Sequence, residues 1–83
     1  MSVHAGGTHV AIKFVNEPRR RINLFTRSVD SSNASGIRGV SSSYKHGDTV
    51  TVYVELTLGA DESRCRDFLL DMARSITTAG KNA

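Results

Sequence analysis

The fold is decided by a ten-residue stretch near the middle of the chain, Thr49-Val50-Thr51-Val52-Tyr53-Val54-Glu55-Leu56-Thr57-Leu58. Polar and apolar residues alternate throughout it, and successive side chains of a strand point to opposite faces of a sheet. The stretch therefore predicts a strand whose valines and leucines face a core, while its threonines, Tyr53 and Glu55 face water. A long strand with one wet face is typical of an antiparallel sheet.

The chain before this stretch is interpreted as three more strands. The first covers residues 8–15 and ends at a turn containing Pro18, which cannot donate to a ladder. The second covers residues 21–28, after which residues 30–36 form a loop rich in Ser, Asn and Gly. Residues 37–44 predict a third, weaker strand.

The faces of the second strand follow from its alternation. Ile22 and Leu24 are predicted to face the core, which leaves Asn23, Phe25 and Arg27 on the outer face. After the third strand, Gly47 is free to take a positive φ and predicts a tight turn.

A helix is predicted over residues 61–79. Asp61 suits the N-cap, and Glu62 suits the positive end of the helix dipole. Apolar residues recur at helical spacing and form one stripe, which consists of Cys65, Phe68, Leu69, Met72, Ile76 and Ala79. Leu70 lies off this stripe.

These elements predict one α+β domain, residues 1–83, with a four-stranded antiparallel β-meander over residues 8–58 and one C-terminal amphipathic helix. Residues 1–7 are predicted to be a flexible arm. Four strands span roughly 19 Å and one helix covers about 10 Å, so apolar sheet would remain uncovered. An intertwined homodimer or a higher assembly is the expected cover, with the amino-terminal arm as the alternative.

Composition limits the class of protein. Cys65 is the only cysteine among 83 residues, which argues against a secreted scaffold held by disulfides. No apolar run approaches the length of a membrane span or a signal peptide, so no membrane partner and a virion or cytoplasmic location are expected. Residues 13–45 hold seven lysines and arginines against two acidic residues, a balance of +5. A basic half suggests a polyanionic partner, although an ordinary solvated surface would also show it.

The predicted outer face combines basic groups with two aromatic rings, as phosphate contact and base stacking require. The predicted nucleic-acid-binding residues are Lys13, Arg19, Arg20, Arg21, Asn23, Phe25, Arg27, Arg38, Thr51 and Tyr53. Two blander interpretations stay open. The arginine cluster after Pro18 could be a solvated turn, and Phe25 could pack against Tyr53 across two strands.

No catalytic residue, metal site or cofactor is predicted. His4, His9 and His46 are scattered, and no pair of potential ligands has metal-binding spacing. Neither a nucleophile turn nor a glycine-rich phosphate loop is present. We therefore expect a protein that is not an enzyme.

The stretch Val54-Glu55-Leu56-Thr57-Leu58 followed by Ser63-Arg64-Cys65 resembles the strand-to-helix junction of coat proteins from small RNA bacteriophages. Arg27 with Ser31-Ser32-Asn33 is similar to an earlier strand and Ser-rich turn of that family. The resemblance implies interlocked dimers whose interior sheet face binds an RNA hairpin, with Arg27, Thr51 and Tyr53 facing the RNA. The chain departs from the family because it lacks room for the amino-terminal hairpin and the second C-terminal helix.

The expected function is therefore a nucleic-acid-binding capsid protein of RNA-phage type, with RNA favoured over DNA. Two alternatives stay open. The predicted element order also resembles whirly-type single-strand DNA-binding coactivators, which implies a dimeric regulator that binds single-stranded DNA or RNA. A small protein–protein adaptor or inhibitor, whose basic face meets an acidic protein, is the other.

Overall fold

The computed structural model describes residues 8–81, and it describes side chains for residues 8–77. The elements in chain order are β1 (His9–Val15), α1 (Arg19–Ser32), β2 (Ile37–His46), β3 (Thr49–Leu56) and α2 (Glu62–Lys81). The arm predicted at residues 1–7 and the side chain of Ala79 lie outside the described part.

The chain is an α+β protein with an antiparallel sheet, but the predicted meander is wrong. The described residues form three strands and two helices. The predicted second strand, residues 21–28, lies inside α1. Ile22, Phe25 and Val29 are all buried at the helical spacing i, i+3, i+7, whereas Leu24, predicted to face the core, is 51% exposed. The helical period therefore decides this segment.

The residues that flank helix α1, Pro18 and Asn33, have non-helical backbone conformations that start and end the helix. Pro18 precedes it in an extended conformation, with φ −66° and ψ 148°, and its carbonyl accepts from the Arg21 amide at 3.0 Å. The helix ends at Asn33, whose φ of 52° is left-handed. Asparagine tolerates this region better than most residues, so it can terminate a helix where glycine would be usual.

Strand β3 lies in the middle of the sheet, and the order is β1-β3-β2 with both pairings antiparallel. A two-residue loop of Gly47 and Asp48 joins β2 to β3. Gly47 has a φ of 60°, which confirms the predicted turn and suits the hairpin types that match strand twist. Helix α1 connects the two outer strands, β1 and β2, which run parallel on either side of β3.

One face of the sheet is covered by both helices, with α1 packed on β2 and α2 on β1. Alternate residues of β1 and β3 point into this core, as their patterns predicted. The core residues are Val10, Ile12, Phe14, Ile22, Phe25, Val29, Val50, Val52, Val54, Leu56, Cys65, Leu69 and Ala73. The argument for a dimer from uncovered apolar sheet therefore fails, because the predicted single helix is in fact two.

The second helix was predicted well at its start. The Asp61 carboxylate accepts a hydrogen bond from the Arg64 amide at 3.1 Å, as an N-cap does. Strand β3 stops at Leu56, so Leu58, predicted to face the core, is exposed. Phe68 is 39% exposed, because the fully buried stripe runs through Cys65, Leu69 and Ala73. Met72 and Ile76, also predicted for the stripe, are partly buried beside it.

Candidate nucleic-acid interface

The face of the sheet that points away from both helices is named here the open face. Its residues follow from the alternation of the strands and the register of the two pairings. They are His9, Ala11, Lys13 and Val15 on β1, Thr49, Thr51, Tyr53 and Glu55 on β3, and Gly39, Ser42, Tyr44 and His46 on β2. No described element packs across this face.

The centre of the open face is a row that crosses all three strands. Thr51 pairs with Lys13 on one side and with Tyr44 on the other. Thr51 is buried even though no helix covers it, because its two larger neighbours flank it. Tyr53 lies two residues further along β3 and pairs with Ser42, so it is a diagonal neighbour of Tyr44.

Two rings on β2 stand together at the rim of this face. Tyr44 and His46 are two residues apart, their ring centroids are 6.4 Å apart, and their planes differ by 8°. Tyr44 is 60% exposed, so one face of this stack is accessible to a ligand. Together with half-buried Tyr53, these residues give the open face three aromatic rings.

Tyr44 and His46 were missed by the sequence-based prediction. The residues 37–46 are rich in serine, and two register shifts interrupt their alternation, between Ile37 and Gly39 and between Val40 and Ser42. Beyond the second shift the alternation is regular, so Ser42, Tyr44 and His46 share a face. That short period-two run was the available signal.

The structure brings together three of the predicted binding residues, Lys13, Thr51 and Tyr53. Phe25 is a correction, because its side chain is fully buried and its ring lies against Phe14 at a centroid distance of 5.1 Å. It cannot stack on a base from there. The cause is the change from strand to helix, which turns Phe25 toward the core.

A second basic surface lies on α1. We name Arg19, Arg20 and Arg27 the arginine face; all three are exposed, and none forms an ion pair with a described residue. Exposed Asn23 lies between Arg20 and Arg27 on the same side of the helix. Because α1 packs on the core side of the sheet, this surface does not adjoin the centre of the open face.

Arg21 and Arg38 belong to neither surface. Arg21 donates to the Glu17 carboxylate at 3.1 Å, and the side chains of the pair are only 19% and 8% exposed. This arginine therefore supports the turn before α1. Arg38 is exposed at the first register shift of β2, beside the sheet.

The open face is nearly balanced in charge. Lys13 is its permanent cation and Glu55 its acid, and His9 and His46 add two imidazoles. Among the residues that the structure describes, no three His, Cys, Asp or Glu side chains are grouped as a metal ion would require. In the same part of the chain, no helix is both long enough and apolar enough to cross a membrane.

Comparison with known proteins identifies no relative: no protein-family model, curated protein or solved structure matches the chain. The strand-to-helix junction that resembles phage coat proteins is formed by the end of β3 and the start of α2. The second segment of that resemblance differs, because Arg27 and Ser31-Ser32 lie at the end of α1 and not in a strand and turn.

Proposed function

We propose that this chain is a non-enzymatic homodimeric protein that binds single-stranded nucleic acid, RNA in preference to DNA, on the open face. The observation that carries the proposal is the exposed Tyr44–His46 stack beside Tyr53 and Lys13. Bases of any sequence can stack on aromatic rings, and each such contact is worth about 1–3 kcal/mol.

The size of the face favours a short single strand. Three strands are about 14 Å across, which is enough for two or three unstacked bases and too narrow to follow a duplex. Lys13 lies one strand away from Thr51 and two from Tyr44, so it can meet a phosphate of a chain whose bases lie on the rings.

Hydroxyl groups support the preference for RNA. Ser42 and Thr49 lie on the open face, Ser42 beside Tyr53 and Thr49 beside His46. Each can both donate to and accept from a ribose 2′-OH, which DNA lacks. A face with one lysine also predicts a shallow salt dependence, since the slope follows the number of phosphates neutralised.

Fluorescence anisotropy with short labelled oligo(U) and oligo(dT) tests the proposal. Tyr44→Ala is expected to weaken oligo(U) binding by the loss of one stack, about 1–3 kcal/mol. Tyr44→Phe is the matched control, because it keeps the ring and removes only the hydroxyl; it should bind almost as the unchanged protein does. Circular dichroism of both variants should be unchanged, since Tyr44 is exposed.

Substitutions on the arginine face test whether α1, and not the open face, binds the oligonucleotide. Arg20→Ala with Arg27→Ala should leave oligo(U) affinity nearly unchanged if the open face is the binding surface. A large loss in this double variant, with normal binding by Tyr44→Ala, would move the interface to α1 and contradict the proposal.

A capsid protein of RNA-phage type is one form of the same proposal, and it would place the chain in a virion. Electron microscopy of the purified protein distinguishes the forms: shells support a coat protein, and plain dimers that carry nucleic acid support a cytoplasmic regulator. Dimers that bind no oligonucleotide would favour the adaptor alternative and would contradict nucleic-acid binding.

A further inference from the structure

The two edges of the sheet differ in shape. The pairing of β1 with β3 is unbroken from His9 to Val15. The pairing of β2 is broken by two register shifts, and Gly39 between them has a φ of 145°. Bulges of this kind prevent another strand from adding to an edge. Strand β1 is therefore the edge on which a further strand fits.

The direction of the free backbone groups on β1 follows from two hydrogen bonds at its ends. Leu56 donates to the Thr8 carbonyl at 2.8 Å, and Asn16 donates to the Asp48 carbonyl at 2.9 Å. Even-numbered residues of β1 therefore bond to β3, because antiparallel bonding alternates. The amides and carbonyls of His9, Ala11, Lys13 and Val15 point outward, and no described backbone group bonds to them.

A groove runs beside this edge, between β1 and α2. Its lining is mixed: Ile12, Phe14, Leu70 and Ala73 contribute apolar surface, while Lys13, Glu17 and Arg74 are charged. Leu70 packs against the core from the side and remains half-buried. The edge therefore offers outward backbone hydrogen-bonding groups, and Leu70 provides apolar surface beside them.

We propose that a second copy of this chain occupies the edge, with its β1 antiparallel to the first and a two-fold axis at Ile12. The open faces of the two copies then merge into one six-stranded surface. The inference rests on the proposed function, because it gives the partner and the extent of the same binding face.

The pattern of β1 argues for a second copy as the occupant. Residues at equal distances from Ile12 lie on the same face, so a two-fold rotation places core-facing residues beside core-facing residues. The same rotation brings the outward amides of Ala11 opposite the partner's Lys13, and those of His9 opposite the partner's Val15. A shift by one residue would turn the partner's apolar side chains to the open face, so only even shifts keep the faces. Among these, the axis at Ile12 pairs the whole length of β1, His9–Val15.

This arrangement completes the binding face. Lys13 and the partner's Lys13 lie on adjacent strands at diagonal positions, about 7–8 Å apart between backbones. Two cations this close repel each other, and a phosphate between them relieves the repulsion. RNA binding should therefore strengthen dimer formation, and dimer formation should strengthen RNA binding by the same factor.

Sedimentation velocity of the full chain over a range of concentrations tests this pairing. Ala11→Pro removes an outward amide and adds a ring at the edge, while the bonds of β1 to β3 remain. The unchanged chain should form dimers, and Ala11→Pro should be a monomer with the same circular dichroism. Ala11→Thr keeps the amide and should dimerise as before.

Two further measurements keep the test decisive if Ala11→Pro folds poorly. Leu70→Glu replaces the half-buried apolar side chain beside the edge with an acid and should also give a monomer. Amide hydrogen exchange at Ala11 and Lys13 should slow as protein concentration rises. Dimers that persist in Ala11→Pro and Leu70→Glu, or slow exchange at these amides in a monomer, would overturn the proposed pairing.

Oligo(U) binding separates this inference from the proposed function. A monomeric unchanged chain that loses oligo(U) binding on Tyr44→Ala overturns the pairing and the homodimer, but it leaves nucleic-acid binding on the open face standing. A dimer of the expected kind without oligo(U) binding overturns the function. Addition of oligo(U) should raise the dimer fraction, and no change in that fraction would overturn the coupling through Lys13.

Discussion

The ring of Phe25 on α1 meets the ring of Phe14 on β1 edge to face, with centroids 5.1 Å apart and planes at 64°. Phe25 is fully buried and Phe14 nearly so. This geometry directs the positive edge of one ring toward the negative face of the other, which adds about 0.5–1.5 kcal/mol to their burial. The pair joins the first helix to the first strand.

Phe25→Ala should therefore act on stability and not on binding. We expect a loss of about 3–5 kcal/mol in the free energy of unfolding, the usual cost of emptying a buried aromatic site. Urea unfolding followed by circular dichroism measures it. Exposed Leu24→Ala, the neighbouring residue, should cost far less, and equal losses in the two variants would contradict the helical arrangement of this segment.

Asp30 holds the irregular part of β2. Its carboxylate accepts a hydrogen bond from the Val40 amide at 3.2 Å, between the two register shifts. Asp30→Ala should lower the free energy of unfolding by about 0.5–1.5 kcal/mol, because the exposed hydrogen bond to the Val40 amide is lost. Asp30→Asn keeps an acceptor oxygen and should retain most of the stability. Thermal unfolding of the two variants checks the difference.

Alanine variants of Gly36 and Gly47, which both have a positive φ, distinguish steric crowding from backbone strain as causes of destabilisation. A Cβ at Gly36 would lie 3.0 Å from the Cys65 sulfur and 3.2 Å from the Ala60 Cβ, whereas a Cβ at Gly47 meets nothing within 4 Å. Both alanine variants should suffer the cost of a left-handed residue, about 1–2 kcal/mol. Gly36→Ala should lose clearly more in urea unfolding, and the same loss at both positions would argue against this packing.

The start of α1 is unfavourable for stability. Arg19, Arg20 and Arg21 occupy its first turn, which contains no acidic residue, and Pro18 provides no side-chain cap. The positive end of a helix dipole disfavours cations there. Arg20→Glu should therefore raise the free energy of unfolding by about 0.3–1 kcal/mol, with the larger effect at low salt. Arg20→Gln should give part of the gain, and a destabilised Arg20→Glu would refute the argument.

Arg21 should behave differently from its neighbour. It pairs with the mostly buried Glu17 carboxylate, so Arg21→Ala removes a charged hydrogen bond worth about 1.5–3 kcal/mol. Arg20→Ala removes no ion pair with a described residue and should change stability by less than about 0.5 kcal/mol. Chemical denaturation of both variants decides whether this cluster has one structural arginine.

Strand β3 and helix α2 were predictable because each carries one uninterrupted period. Residues 49–56 alternate without a fault, and Asp61 provides a clear cap. Residues 21–28 carry both periods at once: Ile22 and Leu24 suggest a strand, while Ile22, Phe25 and Val29 suggest a helix. Packing against Phe14, β2 and α2 decides between them, and the contact with α2 is distant in sequence.

Only part of the candidate interface could be predicted, because only some of its residues lie on strands with regular alternation. Lys13, Thr51 and Tyr53 lie on regular strands, so their face follows from parity. Tyr44 and His46 lie beyond two bulges whose exchanges of face cancel, but the serine run at residues 41–43 offers no apolar residue that would reveal which face is which. Arg19, Arg20 and Arg27 lie on α1, which occupies the place of the expected strand. Since α1 packs on the core side of the sheet, these arginines lie away from the open face.

The irregular course of β2 also limits how far copies of this chain can associate. A sheet with two straight borders can recruit neighbours on both sides and lengthen without end, as amyloid does. Among the described strands only β1 offers a straight border, and the proposed pairing uses it up once two copies meet across it. Assembly by this route stops at the dimer, and a deletion that straightened residues 37–42 would remove that protection against fibre growth.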